Sequence, residues 1–239
     1  MTAPPLDPPL YIDEHVCAIA KPAGIMVHYS RISTDTTFLA DLLREQLGRR
    51  VWPAHRLDRA TSGVLLFALD AEAAAMLGRQ FEAGTVAKRY IAIVRGWLDP
   101  EGVIDRPLRK SGKREQPAVT RYRCLARTEL NEPVPPHPTA RYSLVELEPE
   151  TGRTHQLRRH LNGIAHPIVG DVDHGDRRHN RLFRMKFGCH RLLLHAETLA
   201  FDHPASGERM ELRCQPPAEF RAVVDALDWQ HIADEARSR

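Results

Sequence analysis

Residues 55–70 read HRLDRATSGVLLFALD, and the rest of the chain is best read outward from this stretch. Residues 64–69 form a short, unbroken apolar run, consistent with a buried strand. Just before it, Asp58 stands between Arg56 and Arg59, and Ser62-Gly63 leads into the strand. A position at such an edge can present a carboxylate to a cleft while the strand behind holds it rigid. Taken alone, the segment favours a plainer reading, an Asp in a surface salt bridge. His55 is expected to be structural or to support the residues that do the chemistry.

Outward from this stretch, strands and helices alternate. Residues 11–20 read as a strand or strand pair ending at the turn Lys21-Pro22-Ala23-Gly24. Thr36 or Thr37 is expected to cap a helix carrying Leu39, Leu42, Leu43 and Leu47, stopped by Gly48. Asp70 is expected to cap a second helix, with Ala74, Leu77 and Phe81 on one face and Gly84 at its end. Residues 88–97, 120–125, 141–148 and 191–201 read as strands. Residues 154–162 read as a helix with Leu157 and Leu161 in register. Phe220, Val223, Val224 and Leu227 mark a C-terminal amphipathic helix. Residues 105–117 and 131–138 are polar or proline-rich and predict surface loops. The pattern is that of an α+β domain over residues 11–230, with tails at 1–10 and 231–239.

Composition narrows the function less than the motifs do. The 239 residues are 42% apolar, enough for a sizeable core, and the net charge of +3 is only mildly basic. That charge is unevenly placed. Residues 151–191 hold eight Arg and one Lys against three Asp, so the remainder of the chain is net acidic. Arginine interleaved with histidine suits phosphate contacts better than a Lys/Glu surface does. Cys17, Cys124, Cys189 and Cys214 are scattered, without a CxxC pair, and read as reduced thiols. The first ten residues lack the layout of a signal peptide, and no apolar run reaches the length of a membrane span, so a cytoplasmic protein is expected.

Two further stretches carry chemistry: KRYIAIVRG at residues 88–96, and TGRTHQLRRHL at 151–161, leading to HPIVGD at 166–171. The histidines of the second invite a metal reading. However, His155 and His160 are five apart, off the i,i+4 face of helical zinc pairs, and no carboxylate joins them at ligand spacing. No metal is expected.

Taken together in order and spacing, these stretches resemble the successive motifs of the RluA-type pseudouridine synthases. Residues 11–28 (YIDEHVCAIAKPAGIMVH) are similar to that family's opening motif, and residues 191–208 (RLLLHAETLAFDHPASGE) to its closing strand. The resemblance covers about residues 11–214. It implies the family's catalytic fold, a mixed, largely antiparallel sheet flanked by helices and loops, with no S4-like domain ahead of it. The details are most similar to a branch acting on tRNA, which implies uridine 65 of the T stem as target. A ribosomal-RNA synthase of the same family, a non-catalytic RNA-binding protein and a metal-dependent hydrolase are the alternatives.

The reaction breaks an N-glycosidic bond, turns the uracil and rejoins it to ribose through carbon 5. No redox or phosphoryl step occurs, so no cofactor is expected, and a carboxylate supplies the covalent or electrostatic chemistry. The resemblance places Asp58 in that role, whether it attacks the ribose, attacks the base or deprotonates the ribose. Arg158 is expected to be its ionic partner, and Tyr90 to pack on the flipped uracil and handle the carbon-5 proton. Arg56 is expected to enter the RNA stack as the base leaves it. Arg59, Arg153, Arg159, Arg177, Arg178 and Arg181 are the further candidates for RNA contact. Residues 105–117 and 170–187 are expected to flank the cleft. The expected partner is tRNA, bound by a monomer.

Overall fold

The computed structural model of the protein describes residues 6–29, 35–109 and 114–229. The expected C-terminal tail at 231–239 and the first five residues of the expected N-terminal tail lie outside them. The chain divides into two compact units. One comprises Met1–Lys88 with Ala196–Gln215, the other Arg89–His195 with Pro216–Arg239.

The first unit begins with β1 (Tyr11–Ile12) and β2 (Val16–Lys21), an antiparallel pair. Asp13 ties their turn by accepting the backbone N–H groups of His15 and Val16, each at 2.8 Å. Next come α1 (Leu39–Leu47), β3 (Trp52–Pro53), β4 (Ser62–Ala68) and α2 (Ala71–Ala83). Every residue of β4 is buried, which is why its sequence shows no polar alternation. α2 follows its sequence signals: Asp70 accepts from Ala73 N at 2.7 Å, and Gly84 closes the helix at φ +72°. α1 departs from its own. Its N-cap is Phe38 rather than Thr36 or Thr37, and Phe38 makes no side-chain cap. The first free amides of α1 are satisfied from outside, Leu39 N by Met26 O and Ala40 N by Val27 O, both at 2.9 Å.

β5 (Ala87–Arg95) leads into the second unit, followed by β6 (Glu101–Asp105), β7 (Leu108–Arg109) and β8 (Glu115–Gln116). Then come β9 (Val119–Leu130), β10 (Ala140–Pro149), α3 (Gln156–Gly163) and α4 (Arg177–Phe187). β5, β10, β9 and β6 lie side by side, each pair antiparallel. Two expectations need correction here. Residues 105–117 are not a plain loop, because β7 and β8 pair antiparallel within them. α3 starts at Gln156 instead of Thr154, because Gln156 Oε1 accepts from Arg153 N and His155 takes a left-handed turn at φ +52°.

The chain returns to the first unit through β11 (Leu194–Asp202) and β12 (Arg209–Arg213), and ends the described fold in the second with α5 (Ala218–Ala226). In the first unit the strand order is β1-β2-β4-β11, with β3 on β4 and β12 on β11. The class is α+β with a largely antiparallel sheet. No described helix is long and apolar enough to cross a membrane.

Candidate active site

Asp58 sits in the first unit, in the connection between β3 and β4, half-buried. The connection is held by backbone atoms. Thr61 N donates to Asp58 O at 3.1 Å, and Gly24 N donates to Arg59 O at 2.8 Å. The Lys21 ammonium, 1% exposed, donates to Pro22 O, Arg59 O and Thr61 O at 2.8, 3.2 and 2.8 Å. A buried cation is tolerated because carbonyls take up its donors. Lys21-Pro22-Ala23-Gly24, read from sequence as a turn, thus clamps the Asp58 segment. Gly63 is the other requirement. It has φ +126°, and a Cβ there would lie 2.1 Å from Ala196 O, so only glycine lets β4 approach β11 directly behind this loop.

His55 packs behind the loop. Its Nε2 accepts from Leu66 N at 3.2 Å, and the ring stacks on Phe81 at 5.0 Å. Loss of hydration pushes its pKa down to about 3, the Lys88 charge adding, so the ring stays a neutral acceptor. Arg59 is engaged in the loop as well: Nε donates to Gly24 O at 2.9 Å and Nη2 pairs with Asp35 at 3.1 Å. Arg56 is exposed and makes no side-chain hydrogen bond or ion pair with a described residue.

Tyr90 and Arg158 both lie in the second unit, and strand register places them on one side of its sheet. Tyr90 on β5 faces Leu147 on β10, and Leu147 faces Tyr122 on β9. Directly opposed residues share a face, as do residues two apart, so Thr120 is on this face too. α3 docks there. Gln156 donates to Thr120 Oγ1 at 3.1 Å, and His160 Nδ1 meets the same hydroxyl at 2.9 Å. His160 Nε2 donates to Arg106 O at 3.0 Å, which leaves Nδ1 to accept the Thr120 proton. Burial lowers the pKa of His160, in keeping with one neutral tautomer. The opposite face carries Ile91, Ile93, Tyr142 and Leu144, in one core with Phe183 of α4 and Phe220 of α5.

Arg158 is 4% exposed and fixed on three sides. Nε and Nη2 bind the two oxygens of Asp171 at 2.7 Å each, and Nη2 also reaches Asp173 at 2.7 Å. Burial alone would raise the Asp171 pKa. The Arg158 hydrogen bond and the amides of His174 and Asp173 overcome it and hold the carboxyl below its ordinary range. Asn180 of α4 ties this loop down, accepting from Gly170 N and donating to Asp171 O, both at 2.7 Å.

The remaining arginines differ in their engagements. Arg153 donates to Pro117 O at 3.1 Å. Arg178 is bound to Asp176 and to Pro135 O. Arg177 and Arg181 are exposed on α4, and Arg159 is half-buried on α3. The histidines of 155–160 face different partners: His155 meets His174 at 2.9 Å, and His160 meets Thr120 and Arg106. Among the described residues no group of three or more His, Cys, Asp or Glu side chains is arranged to hold a metal ion. The residue that sequence reasoning missed is Lys21, which looked like one more turn residue. Its only signal was its place at the end of a buried strand.

Residues 15–163 match the family model for RNA pseudouridylate synthase. The chain is 45% identical over 238 residues to the tRNA pseudouridine synthase C of Pectobacterium carotovorum subsp. carotovorum. That alignment takes in 95% of this chain and 63% of the relative's length. It is 44% identical to the Vibrio parahaemolyticus protein of the same name, covering 92% of this chain and 94% of that one. Among solved structures, human RNA Pseudouridylate Synthase Domain Containing 4 aligns at a TM-score of 0.71 and 30% identity, covering 92% of each chain. Human RNA Pseudouridylate Synthase Domain Containing 1 aligns at 0.69 and 27%, covering 87% of this chain and 82% of that one.

Proposed function

Because the chain belongs to the RNA pseudouridylate synthase family, we propose that it isomerises a uridine of tRNA, uridine 65 in the T stem, with Asp58 as the attacking carboxylate. The tRNA reading draws on relatives named tRNA pseudouridine synthase C that are 44–45% identical to this chain. The observation that carries the catalytic reading is the clamped loop. Asp58 is presented from a segment fixed by two Lys21 hydrogen bonds, to Arg59 O and Thr61 O, just ahead of a fully buried strand. A nucleophile that must meet a flipped base gains rate from being held in place beforehand.

In this reading Asp58 bonds covalently to the nucleoside as the glycosidic bond breaks, the uracil turns, and the bond to Asp58 is released as carbon 5 joins the ribose, carbon 5 losing a proton and N1 gaining one. Arg158 supplies positive charge to the site, and Asp171 fixes its plane. Tyr90 packs on the uracil and takes part in removing the carbon-5 proton. Arg56, exposed beside Asp58, fills the stack that the base has left.

The test is to map pseudouridine in total RNA from cells lacking the protein. Loss at tRNA position 65 with ribosomal sites intact is expected. Loss in ribosomal RNA instead would overturn the substrate and leave the chemistry standing. An A-form stem hides its base edges, so shape and backbone must be read. Folded tRNA is therefore expected to react much faster than a single-stranded oligonucleotide of the same local sequence.

Tyr90→Phe separates stacking from proton transfer. The phenyl ring keeps the apolar packing, so tRNA affinity is expected to hold while turnover falls by roughly 10²-fold or more, the usual range for removal of an acid–base group. Wild-type turnover in the Phe variant would reduce Tyr90 to a stacking platform.

A further inference from the structure

The second unit contains a groove of about 740 Å³ between α3 and residues 106–109, lined among others by Arg106, Arg109, Arg159, His174 and Glu115. Three guanidinium-bearing residues there face one carboxylate. Elsewhere in the fold arginines are commonly spent on ion pairs, as at Arg95, Arg121, Arg123, Arg141 and Arg209. In the groove, neither Arg109 nor Arg159 makes a side-chain hydrogen bond or ion pair with a described residue. One wall is anchored at Arg106. His160, fully buried, ties the Arg106 backbone to α3, and Arg106 N donates to Ala118 O at 3.1 Å. Gly163 leaves room for Arg106: a Cβ at that position would lie 2.6 Å from Nη1. The volume falls in the range of small-molecule sites and admits a nucleotide.

We propose that this groove binds the phosphodiester backbone of the substrate RNA, with Arg109 and Arg159 on phosphate oxygens and Arg106 as the fixed wall. This deepens the proposed function and rests on the chain acting on RNA. Arg159 directly follows Arg158, so a backbone held here is registered against the residue that serves the chemistry. Fork-shaped donors in excess over carboxylate on a concave surface, here with Glu115 directly opposite Arg109 on the paired strand, are what phosphate recognition uses. They carry no base information, which suits a protein that must read a stem by its shape.

The experiment is equilibrium binding of an unmodified tRNA transcript across a salt series. It compares wild type, Arg109→Gln/Arg159→Gln and the charge-retaining Arg109→Lys/Arg159→Lys, with thermal unfolding as the fold control. Each phosphate deprived of its protein cation flattens the log–log salt slope by roughly 0.7 to 0.9. The Gln variant is therefore expected to bind more weakly with a slope lower by about 1.4 to 1.8, and the Lys variant to keep most of the slope. An unchanged slope in a folded Gln variant overturns the groove. Uridine monophosphate is the second probe. If it binds wild type as tightly as tRNA does and the Gln variant no longer binds it, the site belongs to a free nucleotide and the backbone assignment fails. Pseudouridine formation is assayed in parallel. A wild type that modifies tRNA while the Gln slope is unchanged loses the groove and keeps the function. A wild type that modifies no RNA while the Gln slope falls loses the function and keeps the groove.

Discussion

Asp58→Asn is expected to abolish pseudouridine formation while the protein keeps its melting temperature and most of its tRNA affinity. Asparagine preserves the shape of the side chain and removes its anionic charge, so it cannot act as a covalent nucleophile at neutral pH. Removing such a nucleophile elsewhere costs on the order of 10⁴-fold or more in kcat. The fold is expected to survive because the loop is fixed through its backbone. Thr61 N holds Asp58 O, Lys21 holds Arg59 O and Thr61 O, and Gly24 N holds Arg59 O. The measurement is single-turnover formation of pseudouridine in tRNA alongside a thermal melt. Turnover near the wild-type level would remove Asp58 from the chemistry. Inactivity with a collapsed melt would instead make it a structural residue.

Which residue types fill the buried positions decides how much of this fold a sequence reveals. β4 and α2 were legible because apolar residues occupy every buried slot and Asp70 and Gly84 mark the ends. α4 was not, because its inward positions are written largely in polar letters. His179 and Asn180 are buried beside Phe183, where Leu or Val would have signalled a helix. His179 reaches Tyr142 Oη at 2.8 Å, and Asn180 holds the Gly170-Asp171 backbone, so each answers a polar partner. Burial lowers the His179 pKa to about 4, consistent with an uncharged ring in that core. The candidate site shows the same limit. Asp58, Tyr90 and Arg158 stood out through the motifs containing them, whereas Lys21 and the Arg106–Arg109 wall depend on interactions between segments far apart in sequence. Strand register, which a single sequence does not contain, is what put Tyr90 and α3 on one face.

Asp171→Asn is the substitution expected to cost most in stability. The Arg158–Asp171 pair is bidentate, and the two side chains are 5% and 1% exposed. Neutralising the acid takes away the buried, bidentate partner of the guanidinium, while Asp173, also bound to it, is 56% exposed. Breaking a buried pair in this way costs about 3–5 kcal/mol. For a chain of this size that lowers the melting temperature by on the order of 10 °C. Asp173→Asn, which removes the exposed partner, is expected to cost at most about 1 kcal/mol. The sign of the pH dependence follows from the depressed pKa of Asp171. A carboxyl held below its ordinary value contributes stability above the unfolded-state pKa of about 3.9, and that contribution fades as pH falls through the folded-state value. The gap in melting temperature between wild type and Asp171→Asn is therefore expected to be full at pH 7 and to narrow below about pH 4. A gap of the same size at pH 7 and in acid would show that the destabilisation comes from packing or from the amides that Asp171 accepts. An apolar pair, Arg158→Met/Asp171→Leu, separates stability from chemistry. It is expected to recover part of the melting temperature lost in Asp171→Asn, because the buried guanidinium goes together with its bidentate partner, and to remain inactive, because Arg158 is gone from the site. If that double variant turns over tRNA, Arg158 belongs to the fold and not to the reaction.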